Sequence, residues 1–457
     1  MNNSIAKGNK MAEMPVNRLM INMAVPMIIS MMLQAVYNIV DSAFVANIKD
    51  TGELALNALT LAFPLQMLMV AVGIGTGVGV NALLAKSMGQ GDQEKASMTA
   101  GNGLFLMLLI YIVFVLFGVF GVKAYVASQT KNEVIKQMAV DYLRICCTCS
   151  IGILLFSLYE KVLQATGNSM YSTIAQIIGA VVNVVLDPIM IYGWLGCPEF
   201  GVRGAAYATV IGQVASAVCG LVFHLKVNKA VKNGIAYMKP SLTIIKGIYS
   251  IGFAAIIAQA LMSVMTYLLN VIFVRIGENV VTAYGLYYKI QQFILFAAFG
   301  LRDAITPTIS FNHGMGSRQR VKDGIKYGML YTLAIMFIGF AGMELLAGPF
   351  AGIFGLSGET KKLCVLAMRV ISFSYVFAGA NIAFQGVFQA LDSGLESLVI
   401  SVCRQFLFVV PVAYGFSEIV LSGAAGIWLV WLTFPIAEIL SVLAAVLFMR
   451  RVEKIKI

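Results

Sequence analysis

One acidic residue, Asp41, lies inside a long hydrophobic run at residues 26–45. An ionised carboxylate is costly in lipid, so an acid at such a position indicates a functional site. Gln34, Tyr37 and Asn38 precede it at spacings that place all four polar side chains on one helical face. We expect Asp41 to bind a cation or proton and the other three to line a substrate cavity. For Gln34 and Asn38, a polar stripe that only joins helices is the alternative.

A second acid, Asp187, lies in another hydrophobic run and shares a helical face with Gln176 and Asn183. Pro188 follows it directly, and because proline has no N–H, the carbonyl of Val184 is left without its helical partner. Carboxylate, amide and carbonyl oxygens suit hard cations, and they also suit a proton relay. We expect Asn183 and Asp187 to bind the ion and Gln176 to line the cavity.

The neighbouring spans supply further polar groups and a bend. Thr209 and Gln213 lie one helical turn apart in the sixth span, and we assign Thr209 to the ion site and Gln213 to the cavity. Pro26 disrupts one turn of the first span, so we expect the helix to bend there.

The faces that carry Asp41 and Asp187 must both turn inward, so we predict that the two acids meet in one pocket. Two carboxylates close together in a low dielectric cannot both stay ionised without a counter-ion. Binding of H⁺ or Na⁺ would change the pocket's charge by one unit and bend the first helix at Pro26. These residue types suit either ion and do not distinguish them.

The composition of the chain indicates that both acids lie in membrane-spanning segments. The chain has 457 residues, of which 60% are hydrophobic and 12% charged, and its mean hydropathy is +0.86. Apolar stretches of about 20 residues, long enough to cross a bilayer, recur throughout. We predict an all-α, multi-pass membrane protein with twelve spans. They lie near residues 16–46, 54–84, 97–121, 138–163, 171–193, 204–226, 247–274, 282–310, 325–347, 363–389, 397–416 and 424–448.

The basic residues predict an orientation. The formal net charge is +11, and most of the 32 Lys and Arg lie in the two terminal tails and in the loops on the same side of the membrane. This asymmetry predicts that both termini are cytoplasmic, in the cell inner membrane. The basic loops then face anionic membrane lipid, so nucleic acid is not an expected partner.

No pattern in the sequence indicates an enzyme. Most of the seven Cys lie in spans and the two His are far apart, which argues against a disulfide framework or a zinc site. The glycine-rich segment 73–96 matches no nucleotide-binding motif, and we interpret it as close helix packing. We therefore predict no catalytic residues, no cofactor and no metal beyond Na⁺ at Asp41, Asn183, Asp187 and Thr209.

Several other charges lie within the spans. Glu160 and Lys161 are interpreted as a pair whose charged ends reach the inner membrane surface. In the second half, we expect Asp303 to neutralise Arg302 and Glu438 to be unpaired or close to a helix end.

The two halves of the chain are repeats. Four landmarks recur at one offset of 225 residues, which is a strong signal although each pair alone is weak. An even number of spans per repeat gives parallel repeats, with lobes at 1–228 and 229–457. The second half lacks the acids, because Asn270 lies near the position that matches Asp41. The landmarks are Arg144 with Arg369, Gln164 with Gln389, Gly89 with Gly314, and Ala58 with Ala283.

Taken together, these motifs resemble the MATE (multidrug and toxic compound extrusion) transporters over essentially the whole chain. The shared features are Pro26 and Asp41 in the first span, Arg144, and the segments MGQGD, LQATGNS, NVVLDP, GVRGAAYAT, RVISF and FQAL. The resemblance implies a V-shaped bundle of twelve helices in two six-helix lobes related by pseudo-two-fold symmetry. It also implies export of organic cations and other amphipathic compounds in exchange for H⁺ or Na⁺.

Within that family, Asp41, Asn183, Asp187 and Thr209 match the amino-lobe ion site of the DinF-like branch. The NorM-like branch has acids in the seventh and tenth spans, and here there is none between residues 252 and 274 or between 363 and 389. Lys289 and Arg404 leave open that some substrates are anionic or zwitterionic.

The predicted function is therefore a secondary antiporter for drug-like small molecules, acting as a monomer by alternating access. The 25 Met and 28 Phe favour a cavity of broad specificity, since thioethers and aromatic rings repack around different ligands. The alternative on the same fold is a flippase or exporter of a lipid-linked or anionic intermediate. A receptor or channel and a membrane-embedded enzyme are further classes with weaker support.

Overall fold

The computed structural model describes residues 9–49, 51–353 and 358–456, and this part of the chain is helical with no strand. In lipid, every backbone N–H and C=O needs a partner within the protein, which helices supply internally. In the described part of the chain, ten helices are long and apolar enough to span a membrane, and two bent pairs, each counted as one span, bring the number to twelve. The predicted all-α fold with twelve spans is confirmed.

The spanning helices follow the predicted order and extend several residues beyond most of the predicted ends. They are α1 (Val16–Ala46), α2 (Gly52–Gly89), α3 (Gln93–Gln129), α4 (Glu133–Thr148 and Ile151–Ala165), α5 (Ser169–Tyr192), α6 (Val202–Val227), α7 (Leu242–Val274), α8 (Glu278–Gly314), α9 (Arg318–Ile353), α10 (Gly358–Ser372 and Ser374–Ala390), α11 (Gly394–Leu421) and α12 (Trp428–Lys456). Short helices lie at Lys10–Glu13, Trp194–Gly196 and Ile235–Met238.

The fourth and tenth spans are broken, a feature that hydropathy did not predict. The two parts of α4 meet at 46° and those of α10 at 49°. Near each break a hydroxyl donates to the carbonyl of an arginine: Thr148 Oγ1 to Arg144 at 2.7 Å, and Ser372 Oγ to Arg369 at 2.7 Å. Such bonds compete with the helical ladder and bend helices. Because Arg144 and Arg369 occupy equivalent positions in the repeat, the broken span of each half has the same kind of bend.

The helices pack into two compact units. Unit 1 contains Met1–Glu13, Ile29–Ile256 and Gly314–Gly316, and unit 2 contains Met14–Ile28, Ile257–His313 and Ser317–Ile457. Compared with the predicted lobes, 1–228 and 229–457, the start of α1 belongs to unit 2 and the start of α7 to unit 1. The units are defined by which residues pack together, whereas the predicted lobes are defined by the sequence repeat. The division into lobes therefore remains a prediction.

Glycines of α2 allow close helix packing within unit 1. A Cβ at Gly77 would lie 2.9 Å from Cγ of Lys161 on α4, and one at Gly79 would lie 2.8 Å from the carbonyl carbon of Ile248 on α7. Real Cβ atoms almost never approach neighbours this closely, so only glycine fits both positions. The interpretation of this glycine-rich segment as a packing surface is confirmed.

We predict that Gly79→Ala destabilises the protein. The new methyl group meets the backbone of Ile248, which cannot rotate away, and such overpacking costs about 1–3 kcal/mol. The melting temperature of the detergent-solubilised protein should fall. Gly342→Ala on α9 is the matched control, because no described atom lies within 4 Å of its added Cβ. Equal melting temperatures for the two variants would contradict the packing role of Gly79.

Candidate functional site

The fold brings Asp41 of α1 and Asp187 of α5 together inside unit 1. The negative charge of Asp41 acts on Asp187, and also on Tyr37 one turn earlier and on Tyr142 of α4. Asp187 is completely buried. The two carboxylates are therefore close enough to interact electrostatically, although they lie far apart in sequence.

The site contains more hydrogen-bond acceptors than donors. Asn183 Nδ2 donates to Asp187 Oδ1 at 3.4 Å, one helical turn away. Three buried oxygens of this site, Asp41 Oδ1, Asn183 Oδ1 and Asp187 Oδ2, have no partner among the described residues. A buried acceptor without a donor costs about 1–3 kcal/mol. A proton on a carboxylate, or a cation bound by these oxygens, would remove that cost. The oxygen atoms of the site are therefore suitable ligands for H⁺ or Na⁺.

Asn183 is held in place by the contact of α5 with α6. A Cβ at Gly212 would lie 2.9 Å from Cβ of Asn183 and 2.7 Å from the carbonyl oxygen of Gly179. The two glycines let the helix backbones approach closely, which fixes the amide of Asn183 beside Asp187.

A cavity adjoins the acidic site. Its empty volume, including its open mouth, is about 710 Å³. Neither acid lines it, but Tyr37 and Asn183 do, and each also lies beside one of the acids. The cavity wall and the acidic site thus share residues. The predicted residues on the wall are Gln34, Tyr37, Gln176, Asn183, Thr209 and Gln213.

Comparison with known proteins agrees with this architecture. The family model MatE matches residues 26–189 and again residues 254–415, which together cover most of the chain. The chain belongs to the MatE family. The second match is a further sign of the internal repeat, and the family is one of transporters rather than enzymes.

Relatives of this MatE protein are similar along nearly their whole length. The multidrug export protein MepA of Staphylococcus aureus (strain MSSA476) is 25% identical over 95% of this chain and 93% of its own. MepA of Staphylococcus saprophyticus is 23% identical over 94% and 92% of the two chains.

Solved structures share the fold. An outward-facing multidrug resistance MATE family transporter aligns with a TM-score of 0.90 at 24% identity, over 98% of this chain and 99% of that one. A MOP superfamily transporter from Pyrococcus furiosus aligns with a TM-score of 0.88 at 24% identity, over 98% of each chain.

Besides the two acids, Asn38 and Pro26 of the MatE protein also lie outside the cavity. Asn38 is exposed on α1, and its carbonyl accepts a bond from Ser42 Oγ. Pro26 is buried within α1, just before the helix passes from unit 2 to unit 1 after Ile28. The roles of Asn38 in lining and of Pro26 in bending remain predictions.

Glu160 and Lys161 line the cavity, a role that sequence reasoning missed. Lys161 is only 2% exposed, so the expectation that its charge reaches the membrane surface is wrong. Its Nζ donates to Gln164 Oε1 at 3.1 Å, and Gln164 Nε2 donates to Glu160 Oε1 at 3.1 Å. Gly77 makes room for the lysine stem. The sequence signal was a lysine beside glutamate in an otherwise apolar span.

Two pairs of opposite charges within the spans of the second half are in contact in unit 2. Arg302 Nη2 lies 2.9 Å from Asp303 Oδ1, so the predicted neutralisation is confirmed. Glu438 is not unpaired, because Arg404 Nε contacts its Oε1 at 2.7 Å. Hydropathy did not reveal this pair because its members lie on different spans.

We predict that Lys161→Met increases the affinity of the cavity for cationic dyes. Methionine preserves the shape of the stem but removes a positive charge from the wall, and one charge about 8 Å away is worth about 2 kcal/mol at an effective dielectric of 20. Ethidium binding, measured by fluorescence polarisation, should tighten about tenfold or more. Lys226→Met, at an exposed lysine outside the cavity, is the control. Unchanged affinity in a folded Lys161→Met protein would show that this lysine does not contribute.

Proposed function

We propose that this MatE protein is a secondary antiporter that exports amphipathic, mostly cationic drugs or toxic organic compounds in exchange for H⁺ or Na⁺. The observation that carries the proposal is the set of unpartnered oxygens of Asp41, Asn183 and Asp187 beside the cavity of unit 1. The names of its relatives support drug-like substrates.

The coupling ion occupies the acidic site. When Asp41 and Asp187 hold no ion, their charges repel each other and favour a cationic ligand nearby. When H⁺ or Na⁺ binds, that attraction falls by one charge. Entry of the ion therefore releases a cationic substrate, as antiport requires.

Tyr37 and Asn183 transmit this change, because both contribute to the cavity wall and both lie beside an acid. Neutralising Asp41 removes the charge next to Tyr37, and neutralising Asp187 weakens its bond with Asn183. The helix bends at Pro26 as the site changes charge, which couples the ion to alternating access.

A second candidate is export of an anionic or lipid-linked intermediate. The buried Lys161 in the cavity wall favours it, since a cation there attracts an acidic group. We rank cation antiport above export of an anionic compound because the two acids lie beside the same cavity.

The proposed setting is the cell inner membrane, with both termini in the cytoplasm and the protein acting as a monomer. The distribution of Lys and Arg supports this orientation.

We predict that Asp41→Asn and Asp187→Asn each abolish ion-driven export while leaving the protein folded. Each change removes the titratable, cation-binding oxygen but preserves side-chain shape. In liposomes containing purified protein, ethidium export driven by an imposed H⁺ or Na⁺ gradient should fall at least about tenfold. Asn270→Ala in unit 2 should have a smaller effect.

Dissipating the two gradients separately identifies the ion. Collapse of only the proton gradient should stop export in a proton-coupled protein, and collapse of only the Na⁺ gradient in a Na⁺-coupled one. Full gradient-dependent export in both Asp variants would exclude this mechanism. Absence of export in the wild type for ethidium and for fluoroquinolones would instead count against the substrate class.

The orientation predicts that Cys197, in the loop between α5 and α6, faces the outside. In a variant where Cys197 is the only cysteine left, a membrane-impermeant maleimide should label intact cells. In the same background lacking Cys197, Lys322→Cys at the start of α9 should react only after permeabilisation. The reverse pattern would place the termini outside.

A further inference from the structure

A second cavity lies in unit 2 and is not part of the acidic site. Its empty volume is about 500 Å³, and it is lined by parts of α7, α8, α11 and α12. Among the described residues that line it, the charged ones are Arg404 and Glu438. The wall is otherwise rich in aromatic and thioether side chains, Met262, Met265, Tyr284, Tyr288, Phe299 and Phe434.

The two charges lie next to each other. Arg404 Nε contacts Glu438 Oε1 at 2.7 Å and Oε2 at 3.0 Å, and Asn381 Nδ2 donates to Oε2 at 2.7 Å. The side chains are only 8% and 12% exposed. A buried ion pair contributes little to stability compared with apolar residues, so its presence in a cavity wall suggests another role.

Arg404 has hydrogen-bond donors that the ion pair does not use, and the neighbouring Gln405 has an unused acceptor. The terminal nitrogens of Arg404 have no hydrogen-bond partner among the described residues, since only Nε contacts Glu438. The neighbouring Gln405 Oε1 is buried and also lacks a partner among them. Arg404 and Gln405 belong to a π-helical segment, Cys403–Leu407, a local widening of the helix that is frequent at functional sites. The cavity therefore offers guanidinium donors beside carboxylate and amide acceptors.

The charges determine which ligand fits. An anion on Arg404 would be repelled by Glu438, and a cation on Glu438 would be repelled by Arg404. A ligand with one charge of each sign satisfies both, and because the two side chains are in contact, its charges must be adjacent as well. An α-amino acid has this arrangement, since its carboxylate and ammonium are attached to one carbon.

We propose that the cavity of unit 2 binds the head group of an α-amino acid with a large apolar side chain. The terminal nitrogens of Arg404 bind the carboxylate in a bidentate manner, and Glu438 with Gln405 Oε1 accepts from the ammonium. The aromatic wall contacts the side chain. This site is separate from Asp41 and Asp187, so it does not depend on the proposed antiport.

The test uses radiolabelled L-tryptophan and the purified full-length protein in equilibrium dialysis. L-tryptophan should bind saturably. N-acetyl-L-tryptophan, which is only anionic, and L-tryptophan methyl ester, which is only cationic, should each compete about tenfold or more weakly, because each leaves one buried charge unmatched. Glycine should compete weakly because it lacks the side chain.

Substitutions test whether tryptophan binds in this cavity. Arg404→Gln with Glu438→Gln removes both charges together, which avoids an unpaired buried charge, and should abolish binding. Gln405→Leu keeps the ion pair intact and should weaken binding severalfold. The control is Arg275→Gln with Glu418→Gln, which removes an exposed Arg–Glu pair outside the cavity and should bind normally. Asp41→Asn should also bind normally.

The proposal is overturned by absence of saturable tryptophan binding to the wild type. It is equally overturned if the ester or the acetylated compound binds as well as tryptophan, or if a folded Arg404→Gln, Glu438→Gln protein retains wild-type affinity. Loss of export in Asp41→Asn with intact tryptophan binding separates this site from the proposed transport mechanism.

Discussion

The organisation of this protein depends on one constraint: an ionised group or an unpaired backbone group cannot be left in lipid. Helices satisfy the backbone, and charged side chains must then turn toward each other or toward a cavity. Asp41 and Asp187 are close enough to interact electrostatically, and Arg404 meets Glu438 between α11 and α12. The same physical requirement therefore produces both polar centres.

The two centres differ in charge balance. The acidic site of unit 1 has two carboxylates and oxygens without donors, so it needs an ion to be neutral. The centre of unit 2 already contains a cation and an anion in contact. In our proposals, the first arrangement binds H⁺ or Na⁺ and the second binds a dipolar ligand. The two halves of the chain are thus repeats whose polar sites differ in their chemistry.

Glycine is as important to these sites as the charged residues. Gly77 makes room for the stem of Lys161, and Gly179 with Gly212 brings α5 against α6 so that Asn183 stays beside Asp187. Membrane helices gain little hydrophobic energy from associating with each other in lipid, so close backbone contact supplies much of the packing. The small residues therefore position the polar ones.

The sequence by itself determined the class, the twelve spans and the polar faces, because hydropathy and helical periodicity are local properties. Asp41, Asn183 and Asp187 could be found in this way. Only the tertiary structure decided that Lys161 turns into the cavity, that Glu438 pairs with Arg404, and that α1 is divided between two units. Those outcomes depend on which helices pack against each other, and the sequence of a single helix does not specify its neighbours.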